Sequence, residues 1–401
     1  MPSFADGKIE AYVGPADLGA PDDLERAVVD FIAAARSSLD IAVQELDSPA
    51  IAQAILDASW NGVDVKVVME QDYLREDGLP KVRPRPEPDE TDDQARQRWQ
   101  WNPALGGLRE NRRILSALLQ SSVDVKADFN RDIFHQKFVL RDYRPGDRRR
   151  GIKQSAALLS GSANFTQTDM HRNLNHVFVF HDREVCKQYR REFDETSRGE
   201  FGRRSHGDVP RAVNLGGVPV KVLFAPDHTP ELELIKQILK AERRVDFAIF
   251  TFAGSSGIDD ALLMAAAAGR KVTGALDPGQ AAQRWAAPRG APGAAPPWLD
   301  RKNIALFVPD KEKLPQTGGG FRKLHHKLMV IDRSIVIAGS FNYTAPANEY
   351  NDENLFVIGS PYEQLPKGEG GPVDKPACAA IADYMREEIA RIVSASNRWR
   401  P

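Results

Sequence analysis

Hydrophobic positions along the chain fall into two periods, and the periods alternate. Ile9 to Val13 predicts a short strand that ends at Gly14-Pro15. Asp22 then opens a helix with Leu24, Val28, Phe31, Ile32 and Ala35 on one face. Leu39 to Leu46 reads as a buried strand. Pro49 to Trp60 reads as a helix, with proline in its first turn and Gly62 just past its end. Val63 to Met69 is the next strand.

From Val220 the same order returns. Val220 to Phe224 is a strand ending at Ala225-Pro226. Thr229-Pro230 opens a helix expected to turn Leu232, Ile235, Ile238 and Leu239 inward. Val245 to Phe252 is a strand, Ile258 to Ala268 a helix closed by Gly269, and Lys271 to Ala275 a strand. Ile9 to Pro15 aligns with Val220 to Pro226, and Leu39 to Val43 with Val245 to Ile249. The chain therefore carries an internally duplicated βαβαβ unit. Strands alternating with helices predict an α/β fold with sheets covered on both faces.

Both halves continue alike. Val123 to Ala127 and Ile304 to Val308 are strands, and so are Ala157 to Gly161 and Ile335 to Gly339. His176 to Phe180 and Asn354 to Ile358 follow. Each half then closes on a helix, Asp182 to Glu195 and Pro376 to Val393. The predicted division is an N-terminal half over 1–197, a linker over 198–219 rich in Gly, Arg and Pro, and a C-terminal half over 220–401. Three insertions break the symmetry: 74–103, charged and Pro-rich; 144–153, with four arginines and one lysine; and 278–298, rich in Ala, Pro and Gly. The first and third follow the same strand of each half and are candidate lids, or plain surface loops.

Chemistry concentrates in one pattern that occurs twice. His325, Lys327 and Asp332 are followed by Gly339, Ser340 and Asn342. Upstream, His135, Lys137 and Asp142 are followed, after the basic insertion, by Gly161, Ser162 and Asn164. On a strand, residues i and i+2 share a face, so each His sits beside its Lys. Lys supplies a point charge and His a nucleophile or proton donor near neutral pH. The Gly-Ser-x-Asn turn adds a hydroxyl and an amide, with Gly allowing close backbone approach. One such half-site supplies one His. Cleaving a phosphodiester through a covalent intermediate needs a nucleophile and a separate acid, and two half-sites supply both. Two lysines, with Ser162, Asn164, Ser340 and Asn342, would then hold the phosphate oxygens.

Net charge is -2 over 401 residues, so any anion site must be local rather than global. Cys186 and Cys378 occupy equivalent places and read as buried thiols, not a bridge. The first residues have neither a basic nor an apolar leader segment, and no run of about 18 apolar residues occurs, so the expected compartment is cytoplasmic. The remaining histidines, His171, His176, His181, His206, His228 and His326, lack metal-ligand spacing and read as structural or surface. Gln44 and Glu45 end a buried strand where the second half has Phe250 and Thr251, a place that often faces a crevice. Trp99 and Trp101, interleaved with Arg96 and Arg98, suit base stacking, a membrane interface, or packing of the insertion.

The doubled His-Lys-Asp and Gly-Ser-x-Asn pattern resembles the phospholipase D superfamily over nearly the whole chain. Gly339 to Thr344 and Asn351 to Leu355 look most like its small bacterial nuclease and mitochondrial branch. The resemblance implies two pseudo-symmetric αβ halves, each a mixed sheet flanked by helices, around one shared cleft. It implies a phosphohistidine intermediate without metal or cofactor, with His135 in the usual place of the nucleophile and His325 in that of the acid and base, an order that the pseudo-symmetry also allows to be reversed. It also implies a carboxylate after the Gly-Ser turn that orients a catalytic His. Glu353 stands there in the second half, and the same distance from Gly161 lands on Asn175. The two histidines are therefore expected to be non-equivalent, with either His as the partner of Glu353. The expected catalytic set is His135, Lys137, Asp142, His325, Lys327, Asp332 and Glu353. A monomer suffices, since both half-sites lie in one chain. The substrate is a nucleic acid, favoured by motif wording and the basic insertion, or a phospholipid headgroup, favoured by the Trp-bearing insertion. A silent binding scaffold is disfavoured by two complete motifs.

Overall fold

The computed structural model describes residues 2–71, 91, 106–146, 155–204, 209–290, 298, 301–363 and 373–400. The first half contains β1 (Ser3–Phe4), β2 (Ile9–Gly14), β3 (Ser38–Val43), β4 (Asp64–Met69), β5 (Asp124–Ala127), β6 (Lys137–Arg141), β7 (Ala157–Gly161) and β8 (Asn173–Phe180). The second contains β9 (Ala212–Leu215), β10 (Val218–Ala225), β11 (Arg244–Ile249), β12 (Lys271–Leu276), β13 (Ile304–Pro309), β14 (Lys323–Leu324), β15 (Lys327–Ile331), β16 (Ile335–Gly339), β17 (Glu353–Ile358) and β18 (Ser396–Arg398).

The sheets run β1-β2-β8-β7-β6-β3-β4-β5 and β18-β13-β12-β11-β15-β16-β17-β10-β9. Both are mixed: β3-β4-β5 and β11-β12-β13 pair in parallel, and the other described pairs along these paths are antiparallel. This is the pseudo-symmetric α/β architecture that the duplication predicts. Helices Leu24–Ala33 and Pro49–Trp60 cover the outer face of the first sheet, and Pro230–Leu239 with Ile258–Ala267 that of the second. The inner faces share a central core in which Phe356 packs edge-on against Phe178 and Phe180, each at 5.2 Å, and Tyr189 against Phe224 at 5.0 Å. Edge-on ring pairs at these distances add to plain area burial. Cys186 and Cys378 are free and buried, on the closing helix of each half.

Three expectations need correction. In Pro230–Leu239, Leu232 and Leu239 are 63% and 49% exposed, while Leu234 and Ile238 are buried. The buried stripe also holds Glu233 and Gln237, joined by a 2.6 Å hydrogen bond, so a purely apolar pattern misplaces the face. The strands β3 and β11 stop at Val43 and Ile249, and the next residues leave the sheet to wall the cleft. Within 198–219, Ala212–Leu215 forms an edge strand on β10, so that stretch is more than a connection. Most of insertion 74–103, including Trp99 and Trp101, lies outside the described residues, as do His206 and 147–154. The described part of 278–298 packs on the body, where Trp298 meets Phe252 at 5.6 Å and is 3% exposed.

Candidate active site

The strands β6 and β15 begin two residues after the motif histidines, and both begin at a cleft between the halves. The cleft holds about 790 Å³ and is lined by His135, His325, Asn164 and Asn342 among others. Each Lys folds back over its His: Lys137 Nζ donates to His135 O at 2.8 Å, and Lys327 Nζ to His325 O at 2.9 Å. Lys137 also donates to Gln44 Oε1 at 3.2 Å, whereas Lys327 has the Phe250 ring 5.2 Å away. Gln44 and Glu45 line the cleft, as their position at a strand end suggests.

The two halves position each other's histidine. His135 N donates to Asp352 O at 3.0 Å, and His325 N donates to Leu174 O at 2.9 Å. Asp352 and Leu174 directly precede Glu353 and Asn175, so each backbone bond brings the next side chain onto the opposite imidazole. Glu353 Oε2 lies 2.7 Å from His135 Nδ1, and Asn175 Oδ1 lies 3.0 Å from His325 Nδ1. Glu353 thus crosses the pseudo-dyad to His135. With each Nδ1 engaged, each Nε2 is the ring atom left for the cleft.

Burial sets the electrostatics. His135 and His325 are held well below the ordinary imidazole range by burial, helped in both by Lys137 and Lys327. Burial brings Lys137 down to about 8, and burial with the neighbouring Lys137 brings Lys327 well below the usual amine range. Burial pushes Glu353 up to about 8, against the pull of Lys137 and of the Ser340 hydroxyl.

The geometry separates some expected residues from the cleft. Asp142 accepts from the backbone N–H groups of Arg36, Ser37 and Ser38, and Asp332 from those of Glu242, Arg243 and Arg244. Both adopt φ of 53°, a left-handed turn that Asp tolerates, at the far end of β6 and β15. Five strand residues span ~17 Å, so neither carboxylate reaches a motif His. The expected catalytic role of Asp142 and Asp332 is corrected to a turn-capping one. Ser162 and Ser340 are likewise behind the histidines. Ser162 Oγ donates to Asn175 Oδ1 at 2.8 Å and Ser340 Oγ to Glu353 Oε2 at 2.6 Å, so they hold the orienting residues rather than the phosphate. Gly161 and Gly339 are required because a Cβ would sit 2.2 Å from His176 O and 2.4 Å from Asn354 O. Close approach to the neighbouring strand, not to substrate, explains both.

The basic insertion also leaves β6 at the end remote from the cleft. There Arg144 pairs with Asp40 at 2.5 Å and Asp64 at 2.7 Å. The described root of that insertion is thus no part of the cleft wall. Among the described residues, the cations that line it are Arg172, Arg322 and Lys323, which the motif pattern does not reveal. Asp169 also lines it, with Oδ2 3.6 Å from His325 Nδ1. Its only sequence signal is the helix-capping pattern Thr166-x-x-Asp169. His176 and His326 are buried and structural. Their Nδ1 atoms lie 3.1 Å apart, Gly339 N donates to His176 Nε2, and His326 Nε2 lies 3.2 Å from Glu388 Oε1.

A family model described as "Cardiolipin synthase, PLD-like domain" matches residues 28–197 and 234–367. A protein of Rickettsia conorii (strain ATCC VR-613 / Malish 7) named Phospholipase D is 30% identical over 139 residues, which are 35% of this chain and 60% of that protein. A second, from Rickettsia felis (strain ATCC VR-1525 / URRWXCal2), is 53% identical over 34 residues, 8% of this chain and 17% of that one. The aligned lengths are thus under two thirds of either relative. The phosphatidylserine synthase of Haemophilus influenzae Rd KW20 superposes with a TM-score of 0.56 at 12% identity, covering 100% of this chain and 88% of that one. That likeness shows the two-halved fold. Among the described residues, no helix is long and apolar enough to cross a membrane.

Proposed function

The chain belongs to the phospholipase D-like family, and from that premise we propose that it cleaves phosphodiesters through a covalent phosphohistidine, with a nucleic-acid strand as substrate. The observation that carries the mechanism is the crossed pairing: a carboxylate on His135 Nδ1 and an amide on His325 Nδ1. A carboxylate stabilises the positive ring that forms when Nε2 bonds phosphorus. His135 Nε2 therefore attacks in line, and the bond from phosphorus to the leaving oxygen breaks. His325, protonated on both nitrogens once the bound phosphodiester's charge offsets Lys137 and Lys327, gives its Nε2 proton to that oxygen and keeps the Nδ1 hydrogen on Asn175 Oδ1. Water then attacks the phosphorus, His325 takes the water's proton, and the bond to His135 breaks. Lys137, Lys327, Asn164 and Asn342 stabilise the charge on the oxygens.

The lining supports a polynucleotide. Among the described residues its apolar members are Ile133 and Phe250; Arg172, Arg322 and Lys323 stand together near His325, with Glu45, Asp47 and Asp169 as the acidic members. Such a wall suits a charged backbone better than acyl chains. A lipid headgroup is the second reading, favoured by Phe129 and Ile133, 87% and 46% exposed on one loop at the cleft. The test is hydrolysis of an aryl phosphodiester in EDTA, followed by single-stranded DNA, duplex DNA, RNA and phospholipid vesicles. Activity in EDTA and on a polynucleotide is expected. Turnover of vesicles alone would replace the nuclease reading, loss in EDTA would remove the metal-free mechanism, and retained turnover in His135→Ala, or polynucleotide hydrolysis not slowed in His325→Ala, would remove the site.

A further inference from the structure

The two halves differ in where they keep their carboxylate. In the second half, Glu353 stands fourteen residues after Gly339, and Ala347 eight after it; in the first half the same two places hold Asn175 and Asp169. The local structures correspond. Thr344 caps Ala345–Glu349 and accepts from Ala347 N at 3.2 Å, and Thr166 caps Gln167–His171 and accepts from Asp169 N at 3.1 Å. The first half thus has an amide where the second has its carboxylate, and a carboxylate, Asp169, where the second has Ala347; both Asn175 and Asp169 lie beside His325.

Asn175 cannot do electrostatically what Glu353 does. Its Nδ2 donates to Asp169 O at 3.2 Å and Asn173 O at 3.3 Å, which turns Oδ1 toward Ser162 Oγ and His325 Nδ1. An amide oxygen orients the ring but carries no charge to hold a second proton on it. Around His325 stand Lys327 on its own strand, Lys323 before it, Lys137 and His135 from the other half, and Asp169. Among the described residues, Asp169 is the carboxylate within 4 Å of the His325 ring; Asp277 lies behind it, accepting from Leu324 N at 3.0 Å, and Glu45 and Asp47 line the cleft further off. Asp169 Oδ2 lies 3.6 Å from Nδ1, and the carboxylate is fixed by Asn164 N at 2.7 Å and by Asn173 Nδ2. It is only 2% exposed, so water screens it little.

We propose that Asp169 is the positioning residue that gives His325 the fixed negative charge that Asn175 lacks, so that the ring can take up the proton it passes to the leaving oxygen. This rests on His325 serving as the acid in the proposed mechanism. Burial and three lysines disfavour the charged ring in the empty site, and a bound phosphodiester brings negative charge that offsets those lysines when the acid is needed. The Asp169 carboxylate offsets those lysines, while Asn175 fixes the ring direction. In the first half the two tasks of Glu353, orientation and charge, are divided between two side chains.

The direct test is the titration of ¹³C-labelled His325 by NMR, assigned by loss of its signal in His325→Asn. It is read in the unaltered chain, Asp169→Asn and Asn175→Asp. Asp169→Asn is expected to lower the His325 pKa by about one unit, and Asn175→Asp to raise it. The titration needs no turnover, so it decides on Asp169 even if no phosphodiester proves to be a substrate. Where turnover is measured, Asp169→Asn should slow release of an alkoxide ~10- to 100-fold and release of 4-nitrophenolate, which needs no acid, by less than about threefold. Adding Asn175→Asp should restore the alkoxide rate. An unmoved His325 titration in Asp169→Asn, or equal slowing of both leaving groups without rescue, would overturn the proposal.

Discussion

Replacing Glu353 by Gln keeps the shape and removes the carboxylate that can become charged as His135 turns positive. The carboxylate holds two short contacts, 2.7 Å to His135 Nδ1 and 2.6 Å from Ser340 Oγ, in a fully buried place. During attack the imidazole of His135 becomes positive, and the carboxylate is its nearest counter-charge. A charge-assisted hydrogen bond contributes ~1.5–3 kcal/mol. Unit charges about 4 Å apart attract by about 4 kcal/mol at an effective dielectric near 20. A loss of about 3 kcal/mol converts to ~10²-fold slower phosphoenzyme formation. The assay is rapid quench with an aryl phosphodiester, reading the burst of released phenolate. His135→Ala combined with Glu353→Gln should be no slower than His135→Ala alone, because the two act as one unit. A burst within about threefold of the unaltered chain would refute the reasoning, since that is under 1 kcal/mol.

Asp142→Ala and Asp332→Ala should each lose ~2–4 kcal/mol of stability in denaturant unfolding, since each strands several backbone donors, while steady-state kcat stays within about threefold. A large fall in kcat with unchanged stability would return these residues to the chemistry. Asp352, 1% exposed, is pushed up to about 8, with burial as the largest cause. A carboxyl whose folded pKa is raised gives stability that is present below its unfolded value and lost as pH rises to the folded one. Asp352→Asn keeps the acceptor for Gly202 N. It should therefore become progressively more stable than the unaltered chain from about pH 4 to about pH 8, and the gap should level off above that. A gap independent of pH in thermal melts would contradict the assignment.

The duplication was legible because strands and helices leave different periods, and both copies keep them. The two His-Lys pairs and the Gly-Ser-x-Asn turns were legible for the same reason: i, i+2 spacing on a strand fixes a shared face. The role of Asp142 and Asp332 was not, because closeness in a motif hides the length of the strand between them. Glu353 could be located but not aimed. Its partner depends on how β17 and the residues before β6 meet across the pseudo-dyad, and no local pattern encodes that pairing. Asp169 and the Arg172, Arg322 and Lys323 group were invisible for a similar reason. They reach the cleft from a short helix and a crossing segment, β14, that pairs with β8 of the other half. The buried face of Pro230–Leu239 was misplaced because Glu233 and Gln237 satisfy each other there, and polar residues read as exposed until their partners are known.

The crossed carboxylate predicts which imidazole carries the phosphate. The direct measurement is acid-free trapping of the intermediate from a radiolabelled or heavy-isotope phosphodiester, followed by peptide mapping under alkaline conditions. Phosphate on His135, absent in His135→Ala and still formed from an activated aryl ester in His325→Ala, is the expected result. Phosphate on His325, or a complete turnover with no covalent species on either histidine, would contradict the account.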